Sequence, residues 1–161
     1  MSKSLSSNWF VAQYKPNSFL LAKRNLEKQG VITFLPLIDI TRRSSSRFFT
    51  DAKPLFPGYI FVSFNLGSFK WTSINYTIGL NKLIMKNNIP QNVPEQFINS
   101  LKLRCDDTGK IMKGNMVKIG KKVEVLQGPF AKMVGSVEKI DPEERITLLF
   151  QILGQQTKTI I

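Results

Sequence analysis

The stretch PLFPGYIFV, residues 54–62, decides how this chain is to be read. Two prolines and a glycine set a bend, and Tyr59–Phe64 then runs as an uninterrupted aromatic and β-branched strand. Alternation along a strand puts Tyr59 and Phe61 on one face and Ile60 on the other. Both faces are apolar. They are both interior only if the sheet is covered twice; otherwise the Tyr59–Phe61 face is an open apolar groove. Phe56 and Ile60 read as core in either case.

Upstream, WFVAQY at 9–14 is a second buried strand without a breaker. Lys15-Pro16-Asn17-Ser18 turns the chain, and Asn17 or Ser18 is placed to cap a helix over 19–29. Phe19, Ala22 and Leu26 form its apolar face, Lys23, Arg24 and Lys28 lie off it, and Gly30 stops it. An extended run, 31–40, is interrupted by Pro36 and leads into RRSSSR (42–47), a basic, serine-rich hairpin tip. Downstream of the opening stretch come a short amphipathic helix around Ser68–Tyr76, a strand Leu80–Lys86, and a helix opened by Pro94 with Phe97, Ile98 and Leu101 inward. The order predicts an α+β sandwich with a mainly antiparallel sheet flanked by helices over 1–104.

Residues 105–115, CDDTGKIMKGN, read as a linker. Beyond it the period changes. Val117, Ile119, Val123 and Val125 alternate, Gly128-Pro129 turns the chain, and Val134 and Val137 flank Gly135. After a turn at Asp141-Pro142-Glu143-Glu144 come two more strand-like runs, Ile146–Leu153 and Thr157–Ile161. Five short strands over 116–161 predict a small β-barrel.

Charge divides along the same line. The chain carries +12, with 23 Lys+Arg against 11 Asp+Glu. Residues 1–104 hold 14 basic and 4 acidic residues, or +10; residues 105–115 hold two of each; residues 116–161 hold 7 and 5, or +2. The N-terminal part is the expected polyanion reader. With no His and the lone Cys105, zinc fingers, histidine triads and intramolecular disulfides are excluded. The N-terminal acids Glu27, Asp39, Asp51 and Glu95 are scattered, so no enzyme activity and no cofactor are expected. No apolar run approaches the roughly 18 residues of a membrane helix, and the polar MSKSLSSN start is unlike a signal peptide. A cytoplasmic monomer is the expectation.

Three segments, in order, resemble the NusG family of transcription factors. WFVAQYKP (9–16) and PLFPGYIFV (54–62) are similar to its N-terminal NGN domain, and VEVLQGPFAKMVGSVEKI (123–140) to its KOW element. TSINYTIGL (72–80), and an end soon after TLLFQILG (147–154), resemble the shorter, specialised RfaH branch. Lys121 and Lys132 depart from the KOW pattern. Leu21 and Ile78 stand where that branch has basic residues, while Lys15 and Lys28 remain basic.

The resemblance implies a factor that suppresses pausing by binding RNA polymerase across its clamp. Tyr59 and Phe61 would engage one pincer, Thr72 and Ser73 the other. Lys15, Lys23, Arg24, Lys28, Arg42, Arg43 and Arg47 would contact the non-template DNA strand, through phosphates rather than base identity. The KOW domain, through Phe130, would recruit the ribosome or a termination factor. In the RfaH branch the same C-terminal segment also exists as an α-helical hairpin over the polymerase site; the β-branched residues and glycines here favour the barrel. The other reading is a KOW-containing RNA- or ribosome-binding protein.

Overall fold

A computed structural model of the chain describes residues 8–67, 70–112 and 130–154. In chain order the strands are β1 (Asn8–Tyr14), β2 (Ile32–Phe34), β3 (Leu37–Ser44), β4 (Arg47–Pro54), β5 (Tyr59–Phe64), β6 (Leu80–Leu83), β7 (Met85–Lys86), β8 (Ile89–Pro90) and β9 (Asn92–Val93). The α-helices are α1 (Phe19–Lys28), α2 (Glu95–Leu103), α3 (Ala131–Ser136) and α4 (Pro142–Ile152), with 3-10 turns at Trp71–Tyr76 and Val137–Lys139.

The sheet is antiparallel and centred on β1, which pairs with β5, β6 and β9, while β2 flanks β5. In this register Val11 faces Phe61 and Ala12 faces Ile60 across the β1–β5 pair. The α+β expectation holds. The period-2 alternation sends Ile60 and Val62 into one core with Phe10, Ala12, Ala22, Leu26 and Leu83. Phe61 goes to the opposite core with Val11, Phe56, Phe97, Ile98 and Leu101. The sheet is therefore covered twice, by α1 on one side and by α2 with the C-terminal helices on the other.

α1 starts at Phe19 as its spacing predicts, with Ala22 and Leu26 buried. Its expected cap is not made: Asn17 is a turn residue at φ 59°, and the Ser18 hydroxyl donates to the Pro16 carbonyl instead. Gly30, at φ 85°, follows the helix. The helix expected around 68–76 is a 3-10 turn over Trp71–Tyr76 that buries Ile74. The expected single strand over 80–86 breaks at Ile84 into β6 and β7, and β7 pairs with β8 around a two-residue Asn87-Asn88 turn in which both φ are positive.

RRSSSR forms the expected hairpin end, paired almost to its tip. β3 and β4 pair through all eight residues, Leu37 with Pro54 at the base and Ser44 with Arg47 at the tip. Only Ser45-Ser46 form the turn, so Arg42, Arg43 and Arg47 are strand residues.

The barrel expectation needs correcting. Residues 146–152, expected as a strand, are helical, and Val134 and Val137 sit in α3 and the 3-10 turn. The described part of the C-terminal segment thus takes the helical alternative. Three causes are visible. Asp141 caps α4 by accepting the Glu144 amide proton at 2.8 Å, Pro142 opens the helix, and Glu143 and Glu144 complement its N-terminal dipole. Val134, Val137, Leu149 and Leu153 are buried in the Phe61 core. Burial of this kind contributes about 1.5–3 kcal/mol per large side chain and outweighs strand propensities of a few tenths. Gly135 lies inside α3 rather than breaking it, and Gly154, at φ 76°, follows the end of α4. The expected strand residues Val117, Ile119, Val123 and Val125, the Gly128-Pro129 turn, and Thr157–Ile161 lie outside the described residues.

Candidate functional site

Phe61 is buried to 1% exposure, ringed by Phe34, Phe56 and Phe97 at centroid separations of 5.9, 5.7 and 6.1 Å. Tyr59, one pleat nearer the sheet end, is only half-buried. Its ring meets Phe150 of α4 edge-on at 5.4 Å, and burial pushes its hydroxyl pKa up against an opposing hydrogen bond with Gln13. A 320 Å³ cleft runs beneath this contact, lined by Gln13, Tyr59, Lys82, Ile84 and Phe150 among others. Farther along, Phe130 packs edge-on against Phe97 at 5.7 Å. Of the two readings of this aromatic face, open groove or second cover, the cover is present: Phe130, Phe150 and the apolar stripe of α4 lie over it. Phe130, expected as the partner-recruiting residue of a KOW barrel, sits instead at the start of α3.

Two polar contacts fasten this lid. Arg104, at the end of α2 with its side chain 3% exposed, pairs with Glu138 at 3.0 Å. Arg145 of α4 donates from Nε to the Val137 and Ile140 carbonyls, both at 3.1 Å, and from Nη1 to the Leu55 carbonyl at 3.3 Å. That last contact lands inside the PLFPGYIFV bend. A hydrogen-bonded guanidinium and a buried ion pair are specific in direction, and removing one partner strands the other in an apolar setting.

Thr72 and Ser73 are exposed on the 3-10 turn, with the Ser73 hydroxyl donating to the Lys70 carbonyl at 2.8 Å. Trp71 beside them packs on the Ile60 core, as an anchor would. Neither hydroxyl residue has a described contact with Tyr59 or Phe61.

The cationic residues fall into separate groups. Lys15 lies in the turn after β1; its amide donates to the Gly79 carbonyl at 2.9 Å. Asn25 donates to the Ile78 carbonyl at 3.0 Å, so Lys15, Asn25 and Ile78 share one surface. Gly79 permits this approach: a Cβ there would come within 2.9 Å of the Ala22 nitrogen. Lys15 also shares a 570 Å³ open groove with Lys53, a lysine that sequence reading missed because it stands alone between apolar neighbours. Lys23 is committed to Glu27 at 2.6 Å, which lowers the Glu27 pKa with help from Thr33. Arg24 and Lys28 are exposed on α1, and Arg42, Arg43 and Arg47 occupy the far end of the β3–β4 ribbon.

No helix among the described residues is long and apolar enough to cross a membrane. Residues 7–102 match the family described as "Transcription termination factor nusG". Among curated proteins, the "Transcription termination/antitermination protein NusG" of Rickettsia typhi is 23% identical over 97% of this chain and 87% of its own length. The Helicobacter pylori (strain 26695) protein of the same name is 25% identical over 75% of this chain and 68% of its own.

Proposed function

The chain belongs to the NusG family of transcription factors, and from that premise we propose that it is a termination/antitermination factor of the specialised, RfaH-like type, held in a closed form. Its partner is RNA polymerase. The observation that carries the reading is the lid itself. An amphipathic helix laid on an aromatic strand face is how such a face is filled, and a helix of the polymerase clamp would fill it in the same way once α4 leaves. Tyr59 and Phe61 then anchor one pincer, Thr72 and Ser73 the other, and the bridged, closed clamp disfavours paused states by binding them less well. Lys15, Arg24, Lys28 and the ribbon arginines track the non-template strand. The C-terminal segment, freed from the sheet, recruits a second partner, the ribosome or a termination factor.

The test uses the full chain and core RNA polymerase. Leu149→Ala with Phe150→Ala loosens the lid and raises polymerase binding by about tenfold or more; adding Tyr59→Ala to that background removes it, as loss of a buried aromatic anchor does at a cost of about 2 kcal/mol or more. Binding that ignores Tyr59 in the loosened background overturns the assignment.

A further inference from the structure

Three side chains line up across the end of the sheet beneath α4. In the β1–β5 pair Gln13 stands opposite Tyr59, and in the β1–β6 pair it stands opposite Lys82. Direct cross-strand partners share a face, so Tyr59, Gln13 and Lys82 form a row on the Phe61 side of the sheet. All three line the 320 Å³ cleft, together with Ile84, Met85 and Phe150 of α4. That volume lies at the lower end of the roughly 300–1,000 Å³ that small-ligand sites occupy, room for a single ring and a short arm.

The polar groups of the cleft are unbalanced. Gln13 Oε1 accepts from the Asn81 side-chain amide at 2.7 Å, which leaves the Gln13 Nε2 to face Tyr59. The Gln13–Tyr59 hydrogen bond works against the rise in the Tyr59 pKa that burial causes, so it is donated to the phenol oxygen. The Tyr59 O–H proton itself has no acceptor among the described residues. Lys82 forms no ion pair among the described residues either. The cleft therefore presents two donors, one of them cationic, and the amide oxygen beside them is already taken. The remaining walls are apolar.

We propose that this cleft binds a small carboxylate with a flat apolar body, and that the bound anion bridges the sheet to α4 and holds the lid closed. One carboxylate oxygen accepts from the Lys82 ammonium and the other from the Tyr59 hydroxyl, while the body lies against Ile84, Met85 and Phe150. A phosphate monoester brings a second charge and a third oxygen for which the lining has no donor. A neutral amide brings an N–H group for which it has no acceptor. Because Phe150 leaves with α4, the ligand has its full site in the closed form alone. At a hundred times its Kd it favours that form about a hundredfold. The assignment rests on the lid reading proposed above, and adds a chemical signal that sets how often the lid opens.

The full chain is titrated with phenylacetate, phenylacetamide, acetate and phenyl phosphate while its backbone amide resonances are followed. Phenylacetate moves the Gln13, Lys82, Ile84 and Phe150 resonances together and saturates at about 1 mM, a modest affinity for a ligand of that size. Phenylacetamide and acetate bind at least about tenfold more weakly, since each lacks half of what the cleft recognises. Lys82→Gln, at an exposed position, removes the preference for the carboxylate over the amide, and Lys82→Arg restores it. Saturating phenylacetate lowers polymerase binding by the wild type about tenfold and leaves the Leu149→Ala, Phe150→Ala variant unaffected. Equal binding of phenylacetate and phenylacetamide, or a Lys82→Gln variant that binds phenylacetate as the wild type does, refutes the site. Phenyl phosphate binding tenfold more tightly than phenylacetate overturns the carboxylate in favour of a phosphate. Lys82-dependent binding that leaves wild-type polymerase binding unchanged refutes the bridge. If the lid-loosened variant gains no polymerase affinity while phenylacetate still binds through Lys82, the lid reading fails and the anion site stands.

Discussion

Asp141 accepts the Glu144 amide proton at 2.8 Å, with Pro142 at the first helical position. Read as a sequence, Asp-Pro-Glu-Glu fits a turn equally well, because aspartate and proline favour both. The neighbouring residues pull both ways: Arg145, Leu148, Leu149 and Ile152 recur at helical spacing, yet isoleucine and threonine at 146–147 suggest a strand. Asp141→Ala is expected to lower stability by about 1 kcal/mol, read as a reduced denaturant midpoint, with helical signal over 142–152 lost first; an unchanged midpoint would show the cap idle. Asp106 makes a second local test. Its carboxylate accepts from the Thr108 hydroxyl and from the Thr108 and Lys110 amides, and these bonds hold its pKa below the ordinary aspartate value. A depressed pKa stabilises the fold above the unfolded value, and that contribution disappears as pH falls through the folded one. The Thr108 and Lys110 amide resonances are therefore expected to move together on acidification, with a midpoint below that of an unstructured aspartate. Movement at the ordinary value would refute it.

At the scale of elements, β1, β5, α1 and α2 were legible because each has its own signal: aromatic runs for β1 and β5, a glycine stop for α1, Pro94 before α2. The site was legible in part. Alternation in PLFPGYIFV identified Tyr59 and Phe61 as facing away from Ile60, and raised the question of a second cover. What supplies the cover was hidden, since α3 and α4 are helices made by a surface distant in sequence. Their residues carry mixed local signals, a helix cap at Asp141 beside β-branched neighbours, and packing on the sheet decides between them. A peptide of residues 110–161 alone is accordingly expected to lack the helical circular dichroism that 131–152 contribute in the whole chain. Within the chain, Leu149→Ala, at a site fully buried against the sheet, is expected to cost about 2–5 kcal/mol of the lid's packing. Helicity that survives excision would show α4 to be autonomous.

Over the whole molecule the two proposed partnerships draw on different forces and separate by salt. The proposed DNA binding draws on residues 1–104, which carry +10, with basic side chains on α1, the Lys15 turn and the ribbon among them. The proposed polymerase binding draws on an aromatic face with few charges. Raising salt from about 50 to about 200 mM is expected to weaken DNA binding by the full chain at least tenfold, while the lid-loosened variant keeps its polymerase affinity within about threefold. Parallel losses would mean that the polymerase contact is electrostatic too. The double cover of the sheet has one more consequence, which concerns competition. A chain whose docking face is open in only about one molecule in a hundred binds about a hundredfold more weakly than its contacts allow. Beside a relative with the same face permanently bare, it would lose nearly every encounter on an ordinary gene. It would win only where something local pries α4 loose. Selectivity of that sort is set by the cover's strength and not by the face beneath.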